Sequence, residues 1–412
     1  MIIYRPRQED VNEMVLWSSY GLDRKDYLIF LCLEQDPSLS NASISREVSE
    51  TEPISSESVR IRIQKMKQSG FLRPNRTIRD PILGDRTQTE VEAVYDPHKI
   101  GLLRQHVLFK DIPNRTSLNK LKAVCDSHPY THFRTLGYSK GATLYAQFDI
   151  PPSTVDIMSE LYSNLRERGL FAHLDYFETQ FLATHEADFH EWNLVDNRWS
   201  VEYGTKSGKG SRLSRIEDLW EEFQTSQEEK NPEQTSPEMA FSLDELDMTL
   251  LRELTINGTP AIKPLAPVYH RDPSTISRRI NRLRETVAEN DMLYYDRSVF
   301  DLTYPQLVVG EFTEENELDA GSLYWFIESG GLPFESKVLI DGNRFILFVV
   351  TPPSLSPEVS EFMWEHTSYV NVYQLQLDSS FTYYFYHKNY LGNGKWNTNR
   401  DYVLGEPLSS IS

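Results

Sequence analysis

The sequence predicts an α+β protein in which one two-module unit is written twice. Two observations carry that prediction, and a repeat has to be settled before domains are counted. The first is a shared apolar spacing. ISSESVRIRIQKM at 54–66 holds Val59, Ile63 and Met66, and PSTISRRINRL at 273–283 holds Ile276, Ile280 and Leu283, each 217 positions later. Steps of four and three residues put each trio on one face of a helix. The second is that Pro151-Pro152-Ser153 recurs as Pro352-Pro353-Ser354 at the same point of a βαββαβ pattern.

The elements follow in order. Leu22-Asp23 opens the first helix and Leu243-Asp244 its counterpart, with Asp as a cap before the apolar runs YLIFLCL and MTLLREL. Second helices follow in ISREVSE and IKPLAPVY, and then the two helices with the repeated trio. Strand-like wings come next, FLRPNRTI with VEAVY in the first copy and MLYYDRSVF in the second. This order is that of a winged helix-turn-helix, whose recognition helix reads DNA.

After each wing the alternation changes to that of a ferredoxin-like domain. The first copy reads HVLFKDI, SLNKLKAVCDS, THFRTLGY, ATLYAQFDI, STVDIMSELYSNLRERG and LDYFETQFLA, the last as one strand. The second reads QLVVGEF, GSLYWFIESG, SKVLI, RFILFVV, SPEVSEFMWEH and VNVYQLQL. Each copy closes on an echo, with His190, Leu194 and Trp199 recurring as His387, Leu391 and Trp396. Between the copies, SRIEDLWEEFQ reads as a short helix and TSQEEKNPEQTSPEM as a disordered linker. The expected boundaries are an extension at 1–19, winged helix-turn-helix modules at 20–96 and 241–300, ferredoxin-like domains at 97–200 and 301–398, an acidic linker at 201–240 and a tail at 399–412.

Composition narrows the class. The 412 residues suffice for several cores, no apolar run is long enough for a membrane span, and the start lacks the apolar core of a signal peptide. Cys32 and Cys125 form no CxxC pair, which fits reduced thiols in a cytoplasmic setting. The net charge of −19 opposes broad affinity for nucleic acid, so any DNA contact needs a local basic face. Stepping 100° per residue around the second trio's helix puts Arg271, Ser274, Arg278, Asn281 and Arg282 outward, with Thr275, Ser277 and Arg279 on the flanks. Arginine takes guanine edges, asparagine takes adenine, and hydroxyls at a helix start suit phosphate. The bland reading is a solvated charged helix. The first copy offers Arg60, Arg62, Gln64 and Lys65, but Ile61 and Glu57 replace Arg278 and Ser274, which leaves a structural or partner-binding role equally open. Arg73 and Arg76 in its wing are further phosphate candidates.

On LDELDMTLLREL, DPSTISRRINRLRE and this order of elements, the chain resembles the archaeal and bacterial Lrp/AsnC family of transcription regulators. The resemblance implies a DNA-binding regulator that does not act as an enzyme. It also implies self-association through the ferredoxin-like domains and a small-molecule effector near their loops. Here the two domains of one chain are expected to pair with each other. The loops that correspond hold Gly137 and Gly141 in the first copy and Asp341 and Gly342 in the second, residues that also suit ordinary hairpin turns. The chain departs from the family in its duplication, long linker and acidity.

No P-loop, Rossmann fingerprint, GxSxG elbow, HExxH or zinc spacing is present, so no cofactor, metal or catalytic residue is assigned. His128, Tyr130 and His132 stand together at a strand start, where packing is their ordinary use. FTYYFYHKNY at 381–390 alternates like a strand suited to core or interface packing. The alternative reading is an enzyme. Siroheme decarboxylases look similar to this family, with paired subunits and a degenerate helix-turn-helix, and in that reading His132 and Arg134 are the candidates. A partner-binding scaffold is a third.

Overall fold

The computed structural model describes residues 20–73, 77–80, 84–87, 89–194, 197–200, 215–226, 242–313 and 318–411. Arg76, the expected extension and most of the expected linker lie outside them. The first module holds α1 (Arg24–Gln35), α2 (Asn41–Val48) and α3 (Ser56–Ser69), then β1 (Thr77–Asp80), β2 (Gly84–Thr87) and β3 (Val91–Tyr95). The first ferredoxin-like half follows: β4 (Leu103–Lys110), α4 (Arg115–Ser127), β5 (Thr131–Tyr138), β6 (Ala142–Ile150), α5 (Val155–Glu167) and β7 (His173–Glu178). Then come β8 (Phe181–His185), the small hairpin β9 (Trp192–Asn193) and β10 (Arg198–Trp199), and α6 (Arg215–Ser226). The second module is α7 (Glu245–Ile256), α8 (Ile262–Val268), α9 (Pro273–Thr286) and β11 (Ala288–Leu293). The second half comprises β12 (Tyr304–Glu311), α10 (Ala320–Glu328), β13 (Ser336–Asp341), β14 (Arg344–Thr351), α11 (Ser356–His366) and β15 (Tyr369–Thr382). The hairpin β16 (Tyr390–Gly392) and β17 (Lys395–Trp396) closes it. The fold is thus an α+β tandem of winged helix-turn-helix and ferredoxin-like domains.

Both opening helices start as their sequences dictate. Asp23 caps α1 and Asp26 returns the bond to the Asp23 backbone, and Asp244 with Asp247 repeats this reciprocal box on α7. α3 ends on Gly70 at φ +84°, a left-handed cap that a side chain would strain. The two wings meet each other: β3 pairs antiparallel with β11, Val91 opposite Leu293.

The ferredoxin-like halves join edge to edge. β5 pairs with β15, Tyr138 opposite Gln374, and the result is one nine-stranded sheet in the order β7-β4-β6-β5-β15-β12-β14-β13-β8. The expected single strand LDYFETQFLA is corrected here. It breaks at Thr179-Gln180: β7 stays on the edge of its own half, and β8 crosses to pair with β13 at the far edge, Lys337 opposite Thr184. The two outer strands are consecutive in the chain, so the sheet curls until its edges approach. Arg344 on β14 bonds the Tyr176 carbonyl of β7 at 3.2 Å and lies 4.4 Å over the Phe177 ring. Leu108, Tyr145, Phe177, Leu307, Leu339, Ile346 and Tyr373 pack inside the curl. The helices cover its outer face.

The cores cross between halves. Phe30 of α1 stacks on Phe300 of the second half at 5.2 Å, Phe189 reaches the same ring at 4.4 Å, and Trp199 donates to the Phe300 carbonyl. In mirror fashion Trp396 donates to the Ile100 carbonyl of the first half, and Tyr390 donates to Leu243 at the start of α7. Trp199 and Trp396 of the two echoes therefore do the same job, each on the opposite copy. The run 381–390 does not continue as a strand, a second correction. Only Phe381 and Thr382 end β15; beyond them Tyr383 bonds the His132 carbonyl, and Phe385 turns in against Tyr95 and Trp396. α6 lays Trp220 and Phe223 on Phe326. No helix among the described residues is long and apolar enough to cross a membrane.

Candidate active site

The polar side chains inside the curl are gathered at one end of the first half. Strand alternation aims Arg104, His106 and Leu108 of β4 inward while Gln105, Val107 and Phe109 face the helices. On β6, Tyr145, Gln147 and Asp149 face the same way. The register sets Arg104 opposite Asp149 and His106 opposite Gln147. The Arg104 guanidinium grips Asp149 with two bonds of 2.6 and 2.8 Å, and Tyr95 donates to the same carboxylate at 2.5 Å. Burial works to raise Asp149, but Arg104 outweighs it and holds the carboxyl well below the usual range. The group is thus an anion with its charge fully committed.

Two imidazoles stand beside this pair. β5 carries an irregularity between Thr131 and Phe133, and His132 there sits with Nδ1 3.5 Å from Asp149 Oδ2, without a hydrogen bond. His106 Nδ1 lies 2.6 Å from the Tyr145 hydroxyl, which receives the Gln147 amide at 2.8 Å. Burial, then the Arg104 and Lys337 charges, push His132 down to about 3, and the same causes in the same order hold His106 well below its ordinary value. Both rings are neutral near neutral pH. Lys337 belongs to β13 of the second half, on the strand face of Leu339, which packs inside the curl. A narrow aromatic-walled cleft reaches the cluster from outside. Tyr95, Tyr130, Tyr383, Tyr384, Phe385, Tyr386 and Trp396 line it, and Asp149 lies in its floor. A larger cavity of about 250 Å³ lies elsewhere, walled by Glu34, Asp36, Glu186, Asp291, Tyr295 and Arg297. Burial pushes Glu34 there up to about 8, and no imidazole lines it.

Of the residues expected at an enzymatic site, His132 belongs to this cluster. Arg134 does not: it bonds Asp126 and the Tyr383 hydroxyl, each at 2.8 Å, and lies over Phe381. His128 and Tyr130 do not converge with His132. His128 accepts from the Tyr130 backbone and packs against Phe148, and burial lowers it to about 3. Arg104, His106, Asp149 and Lys337 were not singled out as site residues. The readable signal was a charged residue at an alternating position of a strand, Arg104 in LRQHVLFK and Asp149 in ATLYAQFDI.

The expected DNA-reading residues divide into engaged and exposed groups. Arg279 of α9 bonds Asp244 at 2.7 Å and Asp247 at 2.9 Å, and Arg282 pairs with Asp247 at 2.8 Å. In the first copy Arg62 bonds Asp23 and Asp26 at 2.6 and 2.7 Å, and Lys65 reaches Asp26 at 3.2 Å. Asp26 and Asp247 are buried, so these cations neutralise the acids of the capping boxes in both copies. Arg60 pairs with Glu57 and reaches Gln64 at 3.5 Å. Ser274 turns its hydroxyl onto Asp272 at 2.6 Å, which places a carboxylate where a phosphate was expected. Arg271 precedes the helix instead of lying on it, and donates to the His270 carbonyl. Arg278 and Asn281 are exposed, and Thr275 and Ser277 are half-buried beside them.

The expected effector loops sit at hairpin ends. Gly137 and Gly141 lie at the opposite end of the β5–β6 ladder from His132 and Asp149. A Cβ on Gly137 would stand 3.1 Å from the Leu375 side chain, so the close pairing of β5 and β15 accounts for this glycine. Asp341 pairs with Arg344 at 2.6 Å, and Gly342, at φ +62°, gives its N–H to Gln180 of the first half. Cys32 and Cys125 are free and buried, and burial raises their thiols to about 11 and about 12.

No family model and no curated protein matches the chain. Among solved structures, that of the siroheme decarboxylase NirDL is similar at TM-score 0.47 and 11 % identity, over 94 % of this chain and 99 % of that one. An AsnC family transcriptional regulator from Agrobacterium tumefaciens is similar at TM-score 0.26 and 17 % identity, over 38 % of this chain and 89 % of that one. E. coli AsnC gives TM-score 0.26 and 14 % identity, over 38 % and 91 %. The expectation of a protein that is not an enzyme is contradicted by this comparison to that extent: a structure similar over 94 % of the chain is that of an enzyme, and the two regulators match 38 % of it.

Proposed function

We propose that this chain is an enzyme that decarboxylates an organic anion with a conjugated ring, in the manner of a siroheme decarboxylase. One observation carries the reading. The imidazoles of His106 and His132 stand beside the buried Arg104–Asp149 pair inside the curl of the sheet, and Asp149 also lines a cleft walled by aromatic rings. Flat rings stack on such walls. The reaction breaks the bond between a side-chain carbon and its carboxylate. Carbon dioxide leaves, the electron pair stays on the carbon, and one proton from the site completes a new C–H bond. Arg104 holds Asp149 ionised and orders the floor, and His106 or His132 passes the proton. The test is to incubate the full chain with siroheme and follow loss of carbon dioxide by mass spectrometry. Product that disappears in His106→Leu supports the reading; unchanged siroheme under reducing and oxidising conditions overturns it.

A second reading, DNA binding by the second copy, is favoured by the exposure of Arg271, Arg278 and Asn281. Its test is affinity selection of fragmented genome at physiological salt with wild type and the Arg278→Ala/Arg282→Ala pair. Enrichment of one motif that the pair loses supports it, and no enrichment across a salt range removes it.

A further inference from the structure

The cavity of about 250 Å³ occupies in the second copy the place that the aromatic cleft has in the first. Tyr295 lines it as Tyr95 lines the cleft, and each opens a Tyr-Asp pair at the end of its wing. Glu186 stands in its wall four residues before His190, and Tyr383 stands in the cleft four residues before His387. The matching places differ in character: aromatic rings wall the first, and acids gather in the second. Asp36 and Glu186 are exposed and Glu34 and Asp291 half-buried, so carboxylates run from the mouth inward. Arg297 does not answer them, because it pairs with Glu335 at 2.5 Å. Asp291 has Arg284 at 3.5 Å from one oxygen, and its other oxygen is buried without a hydrogen bond. Glu34 has neither a cation nor a hydrogen-bond partner for its carboxylate among the described residues.

Shape and charge together select the ligand. A carboxylate held out of water without a partner is costly, and a cation that brings N–H groups offsets the cost. No three His, Cys, Asp or Glu side chains among the described residues stand close enough to hold a metal ion. The acids are spread around a space larger than a bare ion fills, with Pro37, Met292 and Leu293 between them. A short methylene chain with an ammonium at each end suits such walls, its stem on the apolar stretches and its ends on the carboxylates. We propose that this cavity binds an aliphatic diamine, with Glu34 and Asp291 as the inner anchors and Glu186 as the outer one. The site is separate from the decarboxylase cluster, since none of Arg104, His106, His132 or Asp149 lines it.

The probe is putrescine, titrated calorimetrically into the full chain at fixed ionic strength, with magnesium chloride as a second titrant. Wild type should bind one equivalent of putrescine saturably, and magnesium should not displace it. Glu34→Gln removes a charge but no hydrogen bond or ion pair, and should weaken binding about tenfold or more, equivalent to about 1.4 kcal/mol. Its urea midpoint should be unchanged or higher, which separates loss of binding from loss of fold. Glu186→Gln should weaken binding in the same direction, and Glu57→Gln, an exposed acid of α3, should bind like wild type. Protons give a second readout. Besides Asp36 at the end of its own helix, the groups around Glu34 are Glu186, Asp188, Asp291, Tyr295, Arg297 and Glu335. Burial, then the acids Glu186, Asp188 and Glu335, push its carboxyl up to about 8, so at pH 7 the empty cavity holds it largely protonated. A bound ammonium favours the carboxylate and drives that proton off. The binding heat should therefore vary with the ionisation enthalpy of the buffer in wild type and not in Glu34→Gln. Equal putrescine affinity in Glu34→Gln and wild type, magnesium that binds as well as putrescine, or no saturable binding at millimolar putrescine overturns the inference.

Discussion

The two ferredoxin-like halves share a backbone plan and differ in what they bury. In the first, the inward cross-strand pairs are Arg104 with Asp149, His106 with Gln147 and Leu108 with Tyr145. In the second they are Pro305 with Val350, Leu307 with Phe348 and Val309 with Ile346. The registers correspond pair for pair. One half spends its interior on packing, where an apolar pair needs no partner. The other holds ions and rings that must each be satisfied, at a cost in desolvation that packing alone does not demand. A duplicated scaffold can carry such a cluster because the second copy supplies the stability that the first gives up.

The sharpest break of this contrast is Arg104→Met. It leaves Asp149 buried without its cation, and the expected loss is about 3–5 kcal/mol in urea unfolding. Adding Asp149→Val, which installs an apolar pair like that of the second half, should restore most of it. Next is His106→Leu, the residue that stands at Leu307. Siroheme turnover should fall about a hundredfold while the urea midpoint moves little. Acid sharpens the contrast further. His128 and His132 fold with values of about 3 against 6.5 when free, so the unfolded chain binds more protons between those limits. Stability is therefore full above pH 6.5 and falls as pH drops toward 3, by about 2 kcal/mol per imidazole on reaching pH 5. His132→Gln should flatten the slope of urea stability against pH. A smaller effect tests what the copies share. Asp23→Ala and Asp244→Ala each remove a cap and an arginine partner, and each should cost about 1 kcal/mol in urea unfolding. Smallest is Arg278→Ala, exposed and outside these clamps, which should stay within about 0.5 kcal/mol.

The modules were legible because periodicity and caps are local. Asp23 and Asp244 announce their helices, and the Val59 and Ile276 trios announce a buried face. What was hidden depends on which strand a residue meets. Nothing in LDYFETQFLA marks a break at Thr179-Gln180, since both residues suit a strand and neither is Gly or Pro; the far edge at β13 decides it. Arg104 and Asp149 are visible as charges in apolar strands, but their meeting requires the β4–β6 register. The arginines of α9 show the opposite limit. The sequence displays four cations on one helix, and only the packing against α7 shows that Arg279 and Arg282 are answered by Asp244 and Asp247.

The crossing of the cores has a consequence for how the chain is made. During synthesis the first winged module emerges with Phe30 and Val59 ready to pack, yet its aromatic partner Phe300 lies some 270 residues downstream. The first half waits longer still, for Trp396. Contacts of such sequence separation are slow to form. The nascent chain therefore exposes oily surface and an unpaired sheet edge until Trp396 has been made, the situation in which chaperones act on growing chains.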